Sequence, residues 1–179
     1  LLPRRSRCAP AGRSAAHTPL NWLARIGLFG LGREEPRIGA LTPAHAENLA
    51  AIHASAFARP WTVLDFEAFL TDRAVFADGL YLGRARQPAG FVLSRLTLDE
   101  AEILSVALEK RARGKGRSRL LLGQHLQALA HAGATRVHLE VEEGNAPAFA
   151  LSRRLGFEQS GLRPGSYTRP DGSRATAVS

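Results

Sequence analysis

Apolar and polar residues along this chain fall into two rhythms, one of period three to four and one of short apolar runs. Arg37–Leu41 reads as a short strand, and Thr42-Pro43 then supplies an N-cap followed by proline at the first helical position. Leu49, Ile52, Ala56 and Phe57 recur at spacings of three and four, which predicts a helix that Arg59-Pro60 ends. A second helix is predicted over Thr62–Leu70, its apolar side supplied by Leu64, Phe66, Phe69 and Leu70. Three runs rich in Val, Leu, Ile and aromatics follow at Val75–Gly83, Ala89–Leu96 and Ala101–Leu108, separated by Gly, Pro and polar clusters as in an antiparallel meander.

The helical period returns from Gly116 to His131. Ser118, Leu122, Leu126 and Leu129 form one stripe, with Gln124, Gln127 and His131 opposite and Gly133 as the C-terminal stop. Arg136–Val141 is a predicted strand, Asn145–Leu155 a helix closed by Gly156, Phe157–Leu162 another strand and Ser173–Val178 a last one. The order β-α-α-β-β-β-α-β-α-β predicts an α+β fold with one β-α-β crossover near its centre.

A length of 179 residues suits one hydrophobic core. No apolar run is long enough for a spanning helix. A single cysteine, Cys8, forms no internal disulfide, and nothing resembles a zinc ligand set, so the cytosol is the expected compartment. The net charge of +8 suggests a polyanion binder until its distribution is considered. Arg4, Arg5, Arg7, Arg13, Arg25 and Arg33 lie in residues 1–33, which hold no acidic residue, whereas the rest carries nearly balanced charge. Residues 1–33 therefore read as a basic, disordered extension and residues 37–179 as the folded domain, with no direct nucleic-acid partner and no membrane expected.

The chemistry concentrates where the third meander strand meets the long helix. Val106, Ala107 and Leu108 end a strand, and Arg113-Gly114-Lys115-Gly116-Arg117-Ser118-Arg119 opens the helix. A glycine turn at a helix start gathers backbone N–H groups and the positive helix end around one point, which suits a phosphate. Gly114-Lys115 is not followed by Ser or Thr, so this is no P-loop, and the third glycine of a dinucleotide fingerprint is missing.

Downstream, Leu139-Glu140-Val141, Asn145, Ala150-Leu151 and Leu155-Gly156-Phe157, together with Asp99-Glu100-Ala101, Trp61 and the segment from Arg163 to Tyr167, resemble the GNAT family of N-acetyltransferases. The resemblance covers about Arg37 to Val178. It implies a mixed, mostly antiparallel twisted sheet with flanking helices and a strand pair splayed open at the acyl-CoA site. It also implies acetyl-CoA as co-substrate and, within the family, a protein N-terminus as acceptor, an alanine of a ribosomal protein.

Two registers fit the family's loop pattern. Arg111, Gly114 and Gly116 fit literally. Arg113, Gly116 and Ser118 keep the family's spacing to Glu140 and are preferred. The resemblance then puts the diphosphate on Gly114–Arg119, with Arg113 beside it, and pantetheine along Val106–Leu108, where a bulge aims one N–H at the thioester carbonyl. It assigns Asn145 to the cofactor site and makes Glu140 the general base, with Glu102 and Glu142 as weaker candidates. At the position of the family's general-acid tyrosine stands Ser152, which leaves Tyr167 as a substitute acid. That departure keeps two further readings open beside the active N-terminal acetyltransferase: an impaired or non-catalytic acetyl-CoA binder, and an acetyltransferase acting on a small-molecule amine.

Overall fold

The computed structural model describes residues 35–142, 144–168 and 174–178, with side chains through residue 161 except that of Glu143. The basic extension assigned to residues 1–33 lies outside them. Among the described residues eight strands form two sheets. The first has the order β1-β2-β3-β4-β5, from Pro36–Ala40, Val75–Leu82, Gly90–Thr97, Glu100–Leu108 and Arg136–Leu139. Its first four strands are antiparallel neighbours, and β5 joins β4 in parallel after the crossover through the long helix. The second sheet has the order β6-β8-β7, from Val141–Glu142, Arg174–Val178 and Leu162–Thr168. The α+β architecture expected from the element order is the one found.

Helices α1 (Ala46–Ala54) and α2 (Val63–Thr71) cover one face of the first sheet, and α3 (Arg117–His131) covers the other. Alternation along β2 and β3 sorts the core accordingly. Tyr81, Phe91 and Leu93 pack with Leu49, Ile52 and Phe66 under α1 and α2. Leu80, Leu82 and Val92 pack with Leu121 and Leu122 of α3. Gly90 is needed where β3 passes the end of β4, because a Cβ there would stand 2.7 Å from Leu108 Cγ and 3.0 Å from the Ala107 carbonyl oxygen.

Four predicted elements differ. The first helix ends at Ala54 rather than Arg59, because the Ser55 hydroxyl and the amides of Ala56 and Phe57 take up its last carbonyls and Phe57 folds back to stack on His53. The predicted strand Arg136–Val141 is two strands interrupted at Glu140: β5 follows β4, while β6 (with α4, Ala146–Arg154, after it) pairs with β8 of the other sheet. The predicted strand Phe157–Leu162 is not one. Phe157 N–H bonds Ser152 O at the end of α4 and its ring joins the core, so β7 starts at Leu162. In α3 the buried stripe is Leu121, Leu122, His125 and Leu129, with Leu126 only half-buried.

Candidate active site

The site begins as a V between β4 and β5. At the closed end Thr135 donates to Asp99 from both its amide (2.7 Å to the carbonyl) and its hydroxyl (2.8 Å to Oδ2), and Arg136 pairs with Glu100 at 3.0 Å. Parallel pairing runs from Glu100↔Arg136 to Ile103↔Leu139 and stops. Beyond it the chain turns at Glu140 into the second sheet, so the edge of β4 from Leu104 to Leu108 that faces away from β3 has no strand beside it among the described residues. An open strand edge of this kind presents backbone donors and acceptors to an extended, amide-bearing arm.

A bulge marks the same place. Leu93 pairs with Ser105 and Ser94 with Ile103, leaving Leu104 as the extra residue of β4. The bulge therefore lies two residues before the Val106–Leu108 stretch where the resemblance put it. It also reverses which side chains face which layer: Ile103 before it and Val106 and Leu108 after it all pack on the α3 side, while Ala107 packs under α1. Ser105 follows the bulge, is 7% exposed, and its Oγ has no partner among the described residues.

Past Leu108 the chain makes one 3₁₀ turn and enters α3 through Gly114 and Gly116, at φ 73° and 71°. Those angles favour glycine, and a Cβ at either position would meet nothing within 4 Å. The first bond of α3 joins Leu120 N–H to Gly116 O at 3.2 Å, leaving the Ser118 and Arg119 amides at the positive helix end. The cations of the loop divide by role. Arg113 Nε donates to Leu108 O at 2.8 Å and Arg117, 8% exposed, reaches Arg111 O at 3.4 Å, so both brace the loop. Lys115 and Arg119 are exposed.

Glu140 and Ser152 lie on opposite sides of β5. Glu140 is half-buried and lines a cavity of about 460 Å³ with Arg95, Glu100, Glu102 and His138. Ser152, 7% exposed, lies on α4 in a groove of about 1230 Å³ with Leu139, Val141 and Phe149, and its Oγ donates to Phe149 O at 3.0 Å. Asn145 caps α4, its Oδ1 accepting from Ala148 N–H at 3.2 Å. Tyr167 belongs to β7, and its side chain lies outside the described residues. The structure thus places Glu140 where β5 parts from β4, just past the Ile103–Leu139 pair, and Ser152 in a separate groove along α4.

On the α1–α2 side of the sheet Trp61 stacks on His53 at 4.8 Å, and its backbone N–H donates to His53 Nδ1 at 3.1 Å. Burial lowers the His53 pKa to about 4. Sequence reasoning missed one polar feature entirely. His125, 0% exposed, places Nδ1 2.7 Å from Asp78 Oδ2 and Nε2 2.7 Å from Ser94 Oγ. Its signal was available, since His125 follows Leu122 by three and precedes Leu129 by four.

Comparison with known proteins agrees with this geometry. The family model described as the acetyltransferase (GNAT) family matches residues 46–157. The [ribosomal protein bS18]-alanine N-acetyltransferase of Haemophilus influenzae is 31% identical over 132 residues, covering 74% of this chain and 88% of that one. Its Escherichia coli K12 counterpart is 30% identical over 121 residues, 68% of this chain and 80% of the other. The crystal structure of the ribosomal-protein-S18-alanine N-acetyltransferase from Escherichia coli superimposes with a TM-score of 0.73 at 27% identity, covering 80% of this chain and 90% of that one. No helix among the described residues is long and apolar enough to cross a membrane. A strand pair that opens at a bulge, a glycine loop at a helix start and a matching family model over most of the folded chain together place the protein: it belongs to the GNAT acetyltransferase family and is an acetyl-CoA-dependent N-acetyltransferase.

Proposed function

We propose that this chain acetylates a protein N-terminal α-amine, an alanine of a ribosomal protein, in the cytoplasm where such acceptors are made. The observation that carries the reading is the separation of β5 from β4 at Glu140, which puts a carboxylate beside an unpaired strand edge. The residues present fit acetyl-CoA. The loop through Gly114 and Gly116 offers the backbone donors of a helix start to a diphosphate, helped by Lys115, Ser118 and Arg119, while Arg113 and Arg117 hold its shape. The β4 edge through Val106, Ala107 and Leu108 takes the pantetheine amides, and Asn145 shapes the opening by fixing the start of α4.

The amine nitrogen attacks the thioester carbonyl carbon, the C–S bond breaks, and the proton lost by the amine passes to Glu140. A free α-amine ionises at about 7.7 to 8.0, so a modest base suffices near neutral pH. Backbone N–H groups at the bulge face the oxygen on which charge develops. The acceptor approaches from the side of Glu140 and the thiolate leaves toward α4, where Ser152 stands. The Ser152 hydroxyl is held by Phe149 O and supplies no acidic proton comparable to a phenol, so the thiolate leaves unprotonated or takes a proton from Tyr167. Support for the acceptor class comes from the two relatives named as [ribosomal protein bS18]-alanine N-acetyltransferases.

Purified protein given labelled acetyl-CoA should acetylate a peptide beginning Ala-Arg in preference to a Ser-initiated peptide or spermidine. Glu140→Gln should lower kcat by about 10²-fold, most at pH below the amine pKa, with an unchanged melting temperature. Preference for spermidine would move the acceptor to the small amines. Acetyl-CoA binding with no turnover on any amine would leave a binder.

A further inference from the structure

The Asp78–His125–Ser94 chain has the connectivity of a nucleophilic triad, but Ser94 and His125 are each 0% exposed, so no substrate reaches that hydroxyl. Its position in the fold points elsewhere. A carboxylate only accepts, so Nδ1 of His125 carries a proton and donates to Asp78, while Nε2 shares a hydrogen bond with Ser94 Oγ. The three residues come from β2, α3 and β3, and Asp78 pairs with Val92 across the first two of those strands. Ser94 is the β3 residue at which the register with β4 shifts. On one side of the shift it pairs with Ile103, the last β4 residue also paired to β5, and on the other its neighbour Leu93 pairs with Ser105.

We infer that His125 is a positioning residue for acetyl transfer: it anchors β3 to α3 at the β4 bulge and so fixes the strand edge against which the thioester lies. The inference rests on the proposed placement of the thioester at that edge. Its physical basis is that a bulge removes regular ladder support from one strand, so the geometry there depends on how firmly the partner strand is held. On the closed side of the bulge β4 is clamped between β3 and β5. On the open side β3 is its only strand neighbour among the described residues. Ser94 lies at that boundary, and its hydroxyl is tied to the helix whose N-terminus forms the cofactor loop. One imidazole thereby sets the spacing between loop and bulge, the two places a thioester-bearing cofactor must touch at once. Pre-organisation of this kind acts on the reacting geometry more than on ground-state affinity.

The two arms of the imidazole can be separated. His125→Gln keeps a polar atom near the Nε2 position and the bond to Ser94, whereas His125→Asn keeps one near Nδ1 and the bond to Asp78. Titration calorimetry of the full chain with acetyl-CoA and with CoA, and kcat on the best acceptor peptide, should show two groups. Ser94→Ala and His125→Asn should lose the parent's preference for acetyl-CoA over CoA and about tenfold in kcat, while binding CoA as before; His125→Gln should retain both. Hydrogen exchange without ligand gives an independent readout. In Ser94→Ala the amides of Leu104–Val106 should exchange faster, while those of Glu100–Ile103, held by β5, keep their protection. A parent that binds acetyl-CoA and CoA equally would defeat the proposed thioester placement, and exchange at the bulge would then decide the anchoring alone. Unchanged preference, kcat and bulge protection in Ser94→Ala would overturn the inference, since the variant removes one hydroxyl and leaves the helix packing in place.

Discussion

The two ends of the sheet are built to opposite specifications. From β1 to β3 every strand residue is paired with a neighbouring strand, and the side chains of Phe66, Phe91, Leu49 and Leu93 are completely buried between the sheet and the helices α1 and α2. From β4 to β6 the pairing lasts four residues, changes sheet at Glu140 and leaves openings on both faces of β5. The difference shows where this chain keeps its stability and where it keeps its chemistry. A closed meander holds a rigid frame, and its last strand carries an edge free to bind backbone to backbone. Substitutions in the first region should therefore act on folding, and substitutions in the second on binding and rate.

The largest expected effect tests the frame. Phe91, 0% exposed, meets Phe66 edge-on at 5.3 Å and lies between α2 and the sheet. Phe91→Ala should cost about 3 to 5 kcal/mol of unfolding free energy, read by urea denaturation, from lost burial and the cavity left behind. If the loss is under about 1 kcal/mol, the meander is not the stable half.

Next comes the loop. Gly116→Asp adds a side chain where nothing lies within 4 Å, and Asp is among the residues that tolerate φ near 71° best, so the fold should survive. The new carboxylate would face the diphosphate, and CoA affinity should fall by about 10²-fold in titration calorimetry. Equal affinity in parent and variant would place the cofactor elsewhere.

A pH effect on stability should come from His53 in the closed half. His53 is sandwiched between Phe57 at 4.2 Å and Trp61, and burial holds its pKa at about 4 against an ordinary 6.5. Its folded pKa is below its unfolded one, so the unfolded chain binds more protons between these values. The stabilisation from neutral His53 is complete above pH 6.5 and is lost as pH falls toward 4. Thermal melts should show a decline over that window which His53→Asn, keeping an acceptor for Trp61 N–H, flattens. An identical slope in the variant would assign the decline to other groups.

The contrast between the two halves also explains what was legible in the sequence. Local signals predicted the elements of the closed half: Thr42 stands at the N-cap of the turn that leads into α1, with Pro43 at its first position, and the three meander strands lie where apolar runs put them. The glycine loop and Glu140 were singled out through resemblance, because backbone geometry and one carboxylate leave a short pattern, and their roles are what the proposed function tests. Non-local features were not. Leu139-Glu140-Val141 looks like one strand because periodicity records burial and not which sheet supplies the neighbour. The bulge at Leu104 exists only in the register between two strands. His125 was passed over because a histidine in an apolar stripe shows its partners, Asp78 and Ser94, only when the sheet is assembled.

The smallest expected effect is the most informative about the open half, because it adds a group instead of removing one. Ser152 lies where the family resemblance puts a phenol, and its hydroxyl is turned to Phe149 O of its own helix. The groove beside it, bounded by Leu139, Val141 and Phe149, has a volume of about 1230 Å³, so a tyrosine ring has space to extend without displacing the buried core. Ser152→Tyr should raise kcat by about tenfold, within the 10² to 10⁴ that general-acid help supplies at most, and should leave the KM for acetyl-CoA nearly unchanged. Tyr167→Phe, measured in the parent and in Ser152→Tyr, separates the sources of the proton. If Tyr167 serves as the acid, its loss slows the parent and is masked once position 152 carries a phenol. If the thiolate leaves unprotonated, Tyr167→Phe changes neither background. A fall in kcat for Ser152→Tyr with a lower melting temperature would show that α4 closes on β5 more tightly than the groove indicates, and the open half would then be open only on the side of Glu140.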